Sequence, residues 1–155
     1  MVSGKIEEVW YQQGGKATID SYGEDIPIDH VHFLTRARMY YVFHNKLFVH
    51  AGFDPARPVE QQNLHTFLWD RSLARIALDL AGHSKTEKLS SFDEVYIGHT
   101  PITNHTPLKA FEIWLMDTGA GWSGVLSMMN IDTKEVFTSD PVPTLYPGVE
   151  GRQRK

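Results

Sequence analysis

The chain alternates between stretches whose apolar residues recur at helical spacing and stretches where aromatic and β-branched residues crowd together. Ile6, Val9 and Trp10 fall at helical spacing, and that pattern stops at Gln12-Gln13-Gly14-Gly15, where two glycines disfavour continuation. Ala17 to Tyr22 reads as a second short helix closed by Gly23. Pro27 then opens a third, Ile28 to Arg36, with Ile28, Val31, His32, Phe33 and Leu34 crowded towards one side. Proline is tolerated in a first helical turn because its missing N–H would have no partner there.

The period then changes. Met39-Tyr40-Tyr41-Val42-Phe43 and Leu47-Phe48-Val49-His50 flank the turn-like His44-Asn45-Lys46, which predicts a β-hairpin. A polar loop over residues 54–63 leads into one long helix that begins at Leu64, Phe67 and Leu68 and runs through Trp69, Leu73, Ile76, Ala77, Leu78 and Leu80 to Gly82. The polar loop from His83 to Ser91 follows. Beyond it Glu94 to His99, Lys109 to Phe111, Ile113 to Asp117, Gly124 to Ile131 and Glu135 to Thr138 read as strands. Helices and strands in this order predict a mixed α/β layered fold, with one domain over residues 1–140 and a loosely ordered, proline-bearing tail at 141–155.

Composition narrows the chemistry. The chain has 155 residues, and 15 Lys and Arg against 19 Asp and Glu leave a net charge of −4, which argues against nucleic-acid binding by bulk charge. With no cysteine, disulfides, iron–sulfur clusters and thiolate zinc sites are excluded, and the eight histidines become the candidate metal ligands. No apolar run nears the ~18 residues of a membrane span, and the first ten residues lack the apolar stretch of a signal peptide, so the expectation is a soluble, cytoplasmic protein with no membrane partner.

Two histidines stand out. His50 and His99 each close an apolar strand and each is followed by small or turn residues, Ala51-Gly52 and Thr100-Pro101. Strand-end loops on a rigid scaffold are where reactive groups are placed; the competing reading is two core histidines bonded to backbone. Arg71 offers a guanidinium for bidentate grip of a phosphate or carboxylate, against the plainer reading of an exposed helix arginine paired to Asp70 or Glu60. Asp117-Thr118-Gly119 has the form of an aspartic protease triplet, which with one copy per chain would require a homodimer. The residues after it lack the expected apolar-apolar-glycine strand, so Asp117 reads as a turn former and supporting acceptor. His30 and His32, two residues apart on a helix, face different ways. His44 is a turn residue, and His65, His83 and His105 read as solvated. Trp69, Trp114 and Trp122 read as core, because no basic stripe accompanies them.

Four motifs in order, Leu47-Phe48-Val49-His50-Ala51-Gly52-Phe53, Leu68-Trp69-Asp70-Arg71, Ile97-Gly98-His99-Thr100-Pro101 and Asp117-Thr118-Gly119-Ala120, resemble the carboxyl-terminal half of bacterial and phage-type serine/threonine phosphoprotein phosphatases of the calcineurin-like metallophosphoesterase superfamily. The resemblance covers roughly residues 9 to 138. It implies part of an α/β/β/α sandwich with mixed sheets, here built from Met39–Phe43, Leu47–His50, Val95–Gly98, Ile113–Asp117 and Val125–Ile131 with helices on one side. It also implies a phosphomonoesterase with two divalent ions (manganese, iron or zinc), His50 and His99 as ligands of the second ion, Arg71 as phosphate grip, and Asp70 and Asp117 in support. The substrates implied are phosphoproteins or small phosphoesters, dinucleoside polyphosphates among them. The family's motifs Gly-Asp-x-His-Gly, Gly-Asp-x-x-Asp-Arg-Gly and Gly-Asn-His-Glu are absent from this sequence. The expectation is therefore a fragment, inactive alone, that covers its unpartnered surface by forming a homodimer. The alternative is a non-catalytic module binding an anion or a partner.

Overall fold

The computed structural model describes residues 8, 10–23, 25–81 and 87–148. Ile6, Val9, His83 and the end of the expected tail, residues 149–155, lie outside them. The chain divides into two compact units, residues 1–38 and 39–155.

In the first unit the Gly14-Gly15 pair does not end the helix. Tyr11–Gly15 forms a π-type turn that runs straight into α1, Lys16–Tyr22. The wider turn accommodates Gly14 at φ 103°, a conformation other residues rarely adopt. Gly15 has a different reason to be glycine: a Cβ there would lie 2.5 Å from a ring carbon of Trp10. Gly23, at φ 67°, closes α1 as expected. The helix expected from Ile28 is α2, Ile28–Thr35, entered from extended Pro27. Its crowded apolar side is not a core stripe, since none of its residues is buried and Phe33 is 77% exposed.

The second unit contains the hairpin β1, Tyr40–Phe43, and β2, Lys46–Val49. His44 and Asn45 both take positive φ, 44° and 57°, the pairing that lets a two-residue turn follow the twist of its strands. The long helix expected from Leu64 to Gly82 is two helices, α3, Leu64–Trp69, and α4, Ser72–Leu80. Asn63 caps α3 by accepting from the Thr66 amide at 2.9 Å. The break follows from Asp70, whose backbone turns extended (ψ 128°) while its carboxylate accepts from the Ser72 amide at 2.6 Å, starting a new helix.

The remaining strands are β3, Glu94–Ile97, β4, Leu108–Ala110, β5, Ile113–Leu115, β6, Ser127–Met129, and β7, Val136–Thr138. The main sheet has the order β1-β2-β3-β5-β4, with β2, β3 and β5 parallel and both edges antiparallel. Its mixed character agrees with the expected fold class. One strand assignment needs correction: the fifth place expected for Val125–Ile131 belongs to β4, and β6 pairs with β7 in a separate ribbon. The reason is Phe111 at φ 57°, which folds β4 directly back on β5 and fills that edge. Val142–Leu145 adds one helical turn, α5, whose first amide donates to the Gly124 carbonyl at 2.9 Å.

The core lies on one face of the main sheet. Leu47, Val49, Val95, Ile97, Ile113 and Leu115 meet Phe67 of α3 and Leu73, Ala74 and Ala77 of α4. Truncating such a side chain to alanine costs about 2–5 kcal/mol, so the parallel strand ends carrying the candidate chemistry rest on the firmest part of the unit.

Candidate active site

Four elements of the second unit converge at the carboxyl ends of the parallel strands. His50 follows β2 directly and Gly98-His99 follow β3, and the two exits are tied by the Gly98 amide donating to the His50 carbonyl at 2.8 Å. His99 takes φ 61°, an uncommon conformation for a non-glycine residue and one found at functional positions. The exit loop is clipped to β5's continuation by the Ile102 amide on the Asp117 carbonyl at 2.9 Å. The corner between α3 and α4 closes on β2, because the Ala51 amide donates to the Phe67 carbonyl at 2.8 Å. Gly52 permits that approach: a Cβ there would stand 3.2 Å from the Asp70 carbonyl oxygen.

This frame brings His50 Nε2 and His99 Nδ1 to 3.2 Å, with ring centres 4.9 Å apart. Burial holds the His99 imidazole below its ordinary pKa, the charges of Arg71 and His50 add to that, and Asp117 opposes them. Arg71 makes no ion pair among the described residues, so its guanidinium is available to an anion. Asp117 behaves as a turn former, its carboxylate accepting from the Gly119 amide at 3.0 Å. Asp70 is engaged with Ser72, whose hydroxyl and amide hydrogen bonds hold its carboxyl below the usual range. The Thr100 hydroxyl, next to His99, is buried without a hydrogen-bond partner among the described residues.

Other histidines stand apart. His30 bonds Tyr22 at 2.9 Å in the first unit, His44 is in the hairpin turn, and His65 and His105 are exposed. A hollow of about 430 Å³ lined by Asp54, Arg57, Gln62, Asn63, Thr66 and Asp70 contains neither His50 nor His99.

Trp69 corrects an expectation. The three tryptophans form no common core: Trp114 stacks on Tyr96 with ring centres 6.3 Å apart, Trp122 is half-buried in the turn after Gly119, and Trp69 is 42% exposed with its ring perpendicular to His99 at 5.7 Å. The sequence did hold a signal for this, since position 69 follows the apolar stripe of Leu64, Phe67 and Leu68 rather than lying on it.

The donor set decides what ion could be held. Two facing imidazole nitrogens fit two ligands of one zinc, iron or manganese ion. No group of three or more His, Asp or Glu placed to hold a metal occurs among the described residues. The residues present therefore do not fit a two-ion centre.

The second unit is thus a mixed α/β structure with imidazole, guanidinium and indole groups collected at the carboxyl ends of parallel strands, where open α/β sheets bind ligands. No protein-family model and no curated protein matches the chain. Among solved structures, one described as "a putative diadenosine tetraphosphatase" is similar, with a TM-score of 0.55, 16% identity and 88% of this chain covered. The chain spans 65% of that protein's length. The likeness shows a shared fold. No helix among the described residues is long and apolar enough to cross a membrane.

Proposed function

We propose that the chain carries the imidazole and phosphate-gripping part of a phosphoric-ester hydrolase of the metal-dependent kind, and is itself inactive. The observation that carries this reading is the 3.2 Å approach of His50 Nε2 to His99 Nδ1 beside the Arg71 charge. Imidazole nitrogens can coordinate a divalent ion, and a guanidinium donates bidentately to phosphate oxygens. His99 is suited to the first task because its burial disfavours the protonated ring, leaving a nitrogen lone pair for a cation. Serine/threonine phosphoproteins are the substrate class favoured by the motif resemblance. The description of the similar structure favours small phosphoesters of the dinucleoside polyphosphate type. Manganese, iron and zinc are the candidate ions.

The second reading, an anion-binding module without catalysis, is favoured by the absence of a three-ligand group among the described residues. Calorimetric titration with Zn²⁺, followed by p-nitrophenyl phosphate assays with Mn²⁺ on this chain and on the whole gene's product, separates the readings. One ion bound per chain, no turnover by the chain and metal-dependent turnover by the gene product are expected. Absence of turnover from both would leave the binding module and sink the hydrolase.

A further inference from the structure

We propose that Trp69 is a specificity wall, selecting phosphoesters whose esterified group is a planar aromatic ring. The inference rests on the phosphate reading of Arg71 and His99 given above. An exposed indole offers a large flat π surface, and Trp69 places one against the imidazole of a candidate site residue. Trp69 is 42% exposed although it lies two residues from the buried Phe67. Its ring meets the His99 ring at 88°, a perpendicular contact that engages at most one face of the indole.

The position is fixed rather than incidental. Trp69 is the last residue of α3, held by the Asn63 cap at one end and by the Asp70–Ser72 hydrogen bond just beyond the other. The same corner presents Arg71, and both residues act on His99, one by ring contact and one by charge. The Trp69 and His99 ring centres lie 5.7 Å apart, so the indole borders the imidazole edge to face. A phosphate seated at His99 and Arg71 therefore brings its esterified group within reach of the indole. Stacking on an aromatic side chain tolerates many rings and needs no hydrogen-bond match, so it selects flatness rather than one molecule.

The test compares phenyl phosphate with cyclohexyl phosphate, anions of equal charge and similar size of which only the first has a π face. Affinities are measured on the intact chain by NMR titration, with and without one equivalent of Zn²⁺, following the Trp69 indole resonance. Phenyl phosphate should bind ~3–10-fold more tightly. Trp69→Leu should bring the ratio to about 1, while Trp69→Phe should keep most of it, and circular dichroism confirms that each variant folds. Equal affinities in the unaltered chain, or a ratio unchanged in Trp69→Leu, would overturn the proposal while leaving the phosphate reading in place. Binding of neither ester, nor of inorganic phosphate, would overturn both.

Discussion

The two ends of β2 and β3 are built from the same pair of strands and treat charge in opposite ways. At the entry end Lys46 and Glu94 are register partners and form an ion pair. Lys134, from the turn between β6 and β7, reaches the same carboxylate at 2.6 Å, while the Tyr96 hydroxyl donates to it at 2.9 Å and the Trp114 indole at 3.3 Å. Every group there has a partner. At the exit end two imidazoles face one another, a guanidinium has no ion-pair partner among the described residues, and His99 sits at positive φ. A saturated cluster has nothing left to offer a ligand, whereas an under-satisfied one destabilises the chain slightly and is completed by what it binds. The entry end pins the β6–β7 ribbon to the main sheet; the exit end is where chemistry is available.

The largest effect that tests this contrast is loss of metal binding. His99→Ala removes one of the two proposed ligands, so on that reading Zn²⁺ affinity should fall by more than the ~10–100-fold that loss of a supporting hydrogen bond costs. Calorimetry measures that loss, and the thermal midpoint should move by no more than ~2 °C because the native state loses a burdened group. A collapse of stability instead would make His99 a core histidine and remove the contrast.

Glu94→Gln should do the reverse. It leaves Lys46 and Lys134, both largely covered, facing a neutral amide; urea denaturation should show a loss of about 2 kcal/mol, below the ~3–5 kcal/mol of a fully buried pair. Zn²⁺ affinity should be unchanged. Acidification sharpens the difference. Burial alone would raise the Glu94 carboxyl, but its hydrogen bonds from Lys134, Lys46, Tyr96 and Trp114 outweigh that and hold it at about 2. Its folded value lies below its ordinary 4.5, so its contribution, about 1–2 kcal/mol after solvent screening, is present above pH 4.5 and lost as pH falls towards 2. Asp70, also held down, adds to the same window. His99 acts earlier: depressed below its ordinary 6.5, it stays neutral in the fold while the unfolded chain takes up the proton, so stability begins to fall as pH drops through 6.5. Denaturation midpoints against pH should lose their upper limb in His99→Ala and part of their lower limb in Glu94→Gln.

Local chemistry explains what the sequence disclosed. The hairpin, the strand-end histidines and the turn role of His44 each depend on neighbours in the chain, and all three were legible. The α3–α4 break was written locally too, in Asp70 two residues before Ser72, but an uninterrupted apolar pattern masked it. Glu94 and Lys134 lie 40 residues apart, and nothing near either position announces their ion pair. β4's capture of the sheet edge likewise needed Phe111 at positive φ, which aromatic residues seldom supply. The His50–His99 approach was suggested by matching strand ends; its 3.2 Å separation required the parallel register of β2 and β3.

The smallest effect concerns the turn that leads into the saturated end. Asn45 holds φ 57° and, beyond shaping the turn, accepts from the Asp93 amide through its carbonyl at 2.9 Å and donates from its side chain to the Ser91 carbonyl at 3.4 Å. Asn45→Gly keeps the carbonyl bond, relaxes the positive φ and loses the side-chain bonds to the Ser91 carbonyl and the exposed Asp93 carboxylate. Glycine suits the second position of such a turn best, yet it adds freedom to the unfolded chain that folding must remove. These terms are each a few tenths of a kcal/mol and oppose one another, so stability should change by less than about 0.5 kcal/mol. A loss well above that, measured by urea denaturation, would mean that the Ser91 bond anchors the 88–93 loop over the Lys46–Glu94 pair, and that the saturated end extends into the turn.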